Sequence, residues 1–154
     1  MKRFLVLFTL PVLLGAASPV PAPAPANVHA GHAWVRYLLP NLPAAGYMVL
    51  TNSGDITTKL ISASSPACGA LMLHESVNDG GTAAMAMVNS LTIPAHGQVS
   101  LAEGGYHLMC MQPKMALGSK IAMTLSFADG DNLLLLVPVY GPGGPGSGQP
   151  PHGL

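Results

Sequence analysis

Aromatic side chains make up only 5% of the 154 residues and charged ones only 8%, and both shortages narrow what the chain can do. So few rings leave little on which a sugar or a nucleobase can stack. The six Lys and Arg form no cluster, so the basic patch that replaces counterions on nucleic acid is missing. There is no phosphate-binding glycine loop, no nucleophile with a plausible base and no paired carboxylates, which speaks against an enzyme. No apolar run reaches the roughly 18 residues of a membrane-spanning helix, and no stretch keeps a 3.6-residue apolar period over three turns. Cysteine is scarce as well. Cys68 and Cys110 allow one disulfide, not a framework, and nothing in the sequence sets their distance.

What is present begins with MKRFLVLFTLPVLLGAAS, which has the three parts of a secretory signal. Lys2 and Arg3 supply the charge, Phe4 to Gly15 the apolar stretch, and Gly15-Ala16-Ala17 the small residues of a cleavage site. Residues 1–17 are therefore read as a signal peptide, and export as a soluble protein is expected. No cysteine follows the apolar stretch, so a lipid anchor is not suggested. Without this segment Arg36, Lys59, Lys114 and Lys120 stand against six carboxylates, a net charge of −2. Residues 18–27 alternate Pro and Ala and read as an extended spacer. Residues 141–154, GPGGPGSGQPPHGL, have nothing to bury and are expected to be a disordered tail. The folded domain is expected over 28–140.

Within it, short apolar runs are broken by turn residues: AGYMVLTN, GALMLHE, TAAMAMV, SLTIPAHG, QVSLAEGG, YHLMCM, KIAMTLSF and NLLLLVPVY. Their spacing of 8–12 residues, with Gly, Asn and Asp between them, predicts a single all-β domain, sandwich or barrel.

The chemistry concentrates in two places. Asp79-Gly80 is a strong signal for a two-residue hairpin turn. With those two as the loop, His74 faces Met85 and Ser76 faces Ala83, which brings an imidazole and a thioether onto one face. In YHLMCM, alternation puts His107, Met109 and Met111 on one face and Tyr106, Leu108 and Cys110 on the other. Cys110 is thus turned away from His107 and Met109. Thioethers and imidazoles suit Cu(I), and unlike thiols they need no deprotonation and survive outside the cytoplasm. Zinc favours Cys, His and carboxylate, and here the one nearby carboxylate, Glu75, alternates away from His74. Set against this, methionines on strands are commonly core filler, and a single histidine is more often structural than a ligand.

His74, ten residues, Met85, twenty-one residues, His107, one residue, Met109: this spacing resembles the H-x10-M-x21-H-x-M signature of the periplasmic copper chaperones called the PCuAC family. AWVR (33–36), AGYMVLTNSGD (45–55), LISASSPACG (60–69), LMLHE (71–75), DGG (79–81), IPAHG (93–97) and GGYHLMCM (104–111) are similar too. The resemblance implies a cupredoxin-like β-domain in the periplasm that binds Cu(I) through His74, Met85, His107 and Met109. It further implies delivery to the CuA centre of cytochrome c oxidase subunit II, directly or with a Sco-type partner. Copper sequestration without delivery is the alternative. Cys110 departs from the family, which has an aliphatic residue there. Met87 and Met111 share faces with Met85 and Met109 and are candidate spare ligands. His29, His32, His96 and His152 are dispersed. A blue-copper electron carrier needs a histidine shortly after its cysteine; after Cys110 the only one is His152.

Overall fold

The computed structural model describes residues 27–146, and all the regular structure among them is strand. The signal segment 1–17, nearly all of the spacer, and the tail from residue 147 onward lie outside the described residues. Ten strands follow in chain order: β1 (Val28–Arg36), β2 (Ala44–Asn52), β3 (Thr58–Ser64), β4 (Ala70–Asp79), β5 (Thr82–Met87), β6 (Leu91–Ile93), β7 (Gly97–Leu101), β8 (Tyr106–Met111), β9 (Lys120–Phe127) and β10 (Asn132–Tyr140). They build one curled sheet, a half-barrel, in the order β5-β4-β8-β2-β1-β10-β9-β3-β6, with β7 paired to β2. The all-β class expected from the turn spacing is what is observed.

The curl is what gives the sheet an inside. In β9, KIAMTLSF, Ile121, Met123, Leu125 and Phe127 alternate inward. They meet Leu60 of β3, Leu91 and Ile93 of β6, Met48 and Leu50 of β2, Leu108 of β8, and Val137 and Val139 of β10. β2 serves two neighbours along one edge: Ala44–Gly46 pair with β8, and Met48–Asn52 pair with β7. Every ladder is antiparallel except the short contact of β1 with β10. A bulge in β1 between Gly31 and Trp34, with His32 at φ 51°, inserts one residue and restarts the alternation. Trp34 then pairs with Tyr47, and the two rings lie 4.8 Å apart between centres, tilted at 46°.

Two local devices fix the connections. Buried Asn52 donates to the Ile56 carbonyl at 2.7 Å and accepts from the Gly54 amide at 3.0 Å, which shapes the Ser53-Gly54-Asp55 turn. Cys68 and Cys110 form a disulfide, with Cα atoms 5.4 Å apart across a sequence separation of 42. Beyond β10 the described residues run on to Gly146, and Gly144 lies under Trp34. A Cβ there would sit 2.8 Å from the indole, and φ is +65°, so glycine is required twice over.

Candidate metal centre

The hairpin forms, but not in the expected register. Asp79 pairs with Thr82, so Gly80 and Gly81 are the two loop residues, at φ 59° and 91°. Both central positions of this turn need positive φ, and a pair of glycines satisfies both, whereas Asp79-Gly80 would force an aspartate into the left-handed region. Asn78 Oδ1 accepts from the Gly81 amide at 3.1 Å and reinforces the choice. His74 therefore faces Met87, and Met85 faces Ser76; the expected His74–Met85 and Ser76–Ala83 pairs are corrected. Because the register moves by two residues, Met85 stays on the expected face.

β4 then lies between β5 and β8, and the histidines meet. His74 is directly opposite His107, and Met72 opposite Met109. The two rings are 6.0 Å apart between centres and inclined at 70°. Metal–nitrogen bonds of about 2.0–2.1 Å place each ring centre roughly 3 Å from a shared ion, and the spacing of the two ring centres matches that distance. Met85, His107 and Met109 line one cleft of about 580 Å³, together with Tyr47, Ala45 and Ser76. Ser76, a small residue, stands opposite Met85 at this cleft. His74 is not part of the cleft lining; it joins the site through His107. Met111 lines a separate hollow with Pro40, Asn41 and Gln112.

Hydrogen bonding sets which nitrogen of the His107 ring carries the proton. His107 Nδ1 lies 3.0 Å from the Gly105 carbonyl, which accepts only, so Nδ1 carries the proton and Nε2 the lone pair. That Nε2 is buried without a hydrogen-bond partner, and so is His74 Nδ1. Leaving two polar atoms dry costs about 1–3 kcal/mol each, and an ion accepting the His107 Nε2 lone pair would remove the penalty there. On the far wall Arg36 Nη1 contacts Glu103 Oε1 at 2.6 Å and the guanidinium lies 5.4 Å over the Tyr47 ring. Burial raises the Tyr47 phenol, with Arg36 opposing, so it stays protonated.

Burial, and then the proximity of His107, hold His74 below its ordinary value of 6.5. The unfolded chain therefore takes up a proton before the folded one does. Stability of the metal-free protein should fall as pH drops below 6.5 and stop falling once His74 itself protonates. Urea melts at about pH 7.5 and about pH 5.5 should show this loss, and His74→Gln should reduce it.

Some of this was not visible in the sequence. Met72 and Met87 are the residues that strand pairing places beside Met109 and His74, while Arg36, Tyr47 and Glu103 reach the cleft from β1, β2 and the β7–β8 turn. Met87 is already a candidate spare ligand in the sequence, and LMLHE, AWVR and AGYMVLTNSGD contain Met72, Arg36 and Tyr47, but only strand pairing and the curl of the sheet bring them to the site. The dispersed histidines stay dispersed: His96 is exposed and bonds Asp55 at 2.7 Å, and His29 and His32 are exposed on β1. Cys110 is buried in the core and tied to Cys68, away from the cleft.

A family described as "Putative lipoprotein LpqE-like" matches residues 28–139. "Putative lipoprotein Lxx21020" of Leifsonia xyli subsp. xyli is 36% identical over 131 residues, 83% of this chain and 78% of that protein. A solution structure of CuI-DR1885 from Deinococcus radiodurans is 36% identical with a TM-score of 0.61, covering 76% of this chain and 80% of that one. The copper-bound PCuAC domain from PmoF2 has a TM-score of 0.64 over 76% of this chain and 95% of its own; at 22% identity it shows the shared cupredoxin-like fold. Spanning the strand-forming region almost from end to end, these likenesses place the chain in the LpqE-like family.

Proposed function

We propose that the protein is an exported Cu(I) carrier that holds the ion with His74, Met85, His107 and Met109 and performs no catalysis of its own. The observation that carries this reading is the facing pair of buried, unpartnered imidazole nitrogens beside a cleft lined by thioethers. No cluster of three or more His, Cys, Asp or Glu side chains exists among the described residues. A zinc or hard-ion site has little to build on, whereas two imidazoles and two thioethers suit a soft monovalent ion. Both cysteines are occupied with each other, so no thiolate competes for the copper. The Deinococcus relative, at 36% identity, is described in its Cu(I) form, which supports the same cargo here.

Neutral ligands at an open cleft also suit a carrier. Exchange with an incoming ligand can begin without stranding a buried anion. The disulfide is consistent with the oxidising periplasm. The recipient favoured by the resemblance is the CuA centre of cytochrome c oxidase subunit II, reached directly or through a Sco-type protein.

Anaerobic titration should show one equivalent of Cu(I) bound per chain, with marked weakening in Met109→Ala. Transfer to a purified subunit II fragment should follow. A wild-type chain that leaves Cu(I) with a weak competitor would sink the assignment, and tight binding without transfer would make the protein a store of copper.

A further inference from the structure

We propose that the Cys68–Cys110 disulfide is a positioning element of the copper site, pinning the hairpin that carries His74 and Met85 to the strand that carries His107 and Met109. This rests on the copper reading above. Among the described residues β5 is the edge of the sheet, so there β8 is the only strand beyond the hairpin with which β4 forms a ladder, over Ala70–Glu75 and Tyr106–Met111. One half of the ligand set lies on each side of that ladder. A slip of one residue in it would turn His74 to the opposite face, and a slip of two would part it from His107.

The disulfide sits at the root of the ladder. Cys110 is the partner of Leu71, one residue from Met109, and Cys68 lies two residues before β4 begins. The surrounding backbone is tied down at the same point. Gly69 N donates to the Met111 carbonyl at 2.8 Å, Lys114 N to the Ala67 carbonyl at 2.8 Å, and Ser65 Oγ to the Ala122 carbonyl at 2.6 Å. At the other end Ser76 N donates to the Gly105 carbonyl at 3.1 Å, the same oxygen that orients His107. The ladder is thus held covalently at its root and by single hydrogen bonds at its tip. Neither sulfur is a ligand: Cys110 is 2% exposed, on the core side of β8. The bond acts on copper only through the register and alignment of the two halves.

The test uses the processed, full-length protein without its cysteines, Cys68→Ala/Cys110→Ala, and a second version, Cys68→Ala/Cys110→Val, that refills the core. Reduced wild type is unsuitable, because its freed thiols would bind Cu(I) themselves. Competition titration should show Cu(I) held at least about tenfold more weakly, the scale of losses when a ligand's support is removed. X-ray absorption of the loaded variants should show fewer sulfur and nitrogen neighbours than in wild type, a change that lower stability alone would not cause. A version with an intact β-sheet circular dichroism spectrum that binds within twofold of wild type, with unchanged neighbours, would overturn the proposal. If wild type itself fails to bind, the copper reading falls first, and the two failures are distinct.

Discussion

His107→Ala should lower Cu(I) affinity by at least about a hundredfold, since even outer-shell changes around metal sites cost 10–100-fold. His107 is the most constrained of the four candidates. It is 4% exposed, its Nδ1 is committed to the Gly105 carbonyl, and its Nε2 has no protein partner. Nothing nearby replaces it, because His74, already on the opposite strand, supplies the other imidazole. His96→Ala is the matched control: it also removes a histidine, but an exposed one held by Asp55, and should leave affinity unchanged. Competition with a chelator of known affinity under anaerobic conditions measures both. Equal weakening in the two variants would mean that copper is held by scattered surface imidazoles, and equal affinity to wild type in His107→Ala would remove β8 from the site.

How far the sequence reaches toward this site follows from which forces act locally. Alternation along YHLMCM is local, and β8 spans the same six residues, with Leu108 and Cys110 buried and His107 and Met109 on the other side. Turn chemistry is local as well, but here it offered two adjacent solutions. Asp79-Gly80 and Gly80-Gly81 both suit the turn, and the second wins because it relieves Cβ strain at both central positions. The face survived that error while the cross-strand partner did not, and Met87 took the place opposite His74. β3, TKLISAS, has no alternation to read, because only Leu60 is fully buried while the next residue, Ile61, is exposed, and in β1 a bulge interrupts the alternation. The placement of β4 beside β8, the Arg36–Glu103 pair and the disulfide join residues 31 or more positions apart, or depend on the curl of the sheet, so no local pattern encodes them.

Leu108→Ala should destabilise the metal-free protein by about 3 kcal/mol, within the 2–5 kcal/mol typical of buried leucine truncation. Leu108 is fully buried, and it packs where β2 comes closest: a Cβ on Gly46 would stand 3.3 Å from its own Cβ. The small residue on β2 lets the leucine sit directly against the backbone, so little can move in to fill the space it leaves. Urea unfolding should register the loss as a midpoint lower by about 1–3 M, given slopes of roughly 1–3 kcal/mol/M. Leu134→Ala, which trims a leucine 67% exposed on β10, should shift it by no more than about 0.5 kcal/mol. The comparison bears on copper because Leu108 stands between His107 and Met109 on one strand. Its inward side chain anchors the segment from which both candidate ligands project to the other face, so copper should recover part of the lost stability by binding only the folded form. If Leu108→Ala unfolds as readily with saturating Cu(I) as without it, the ion is not held by this strand.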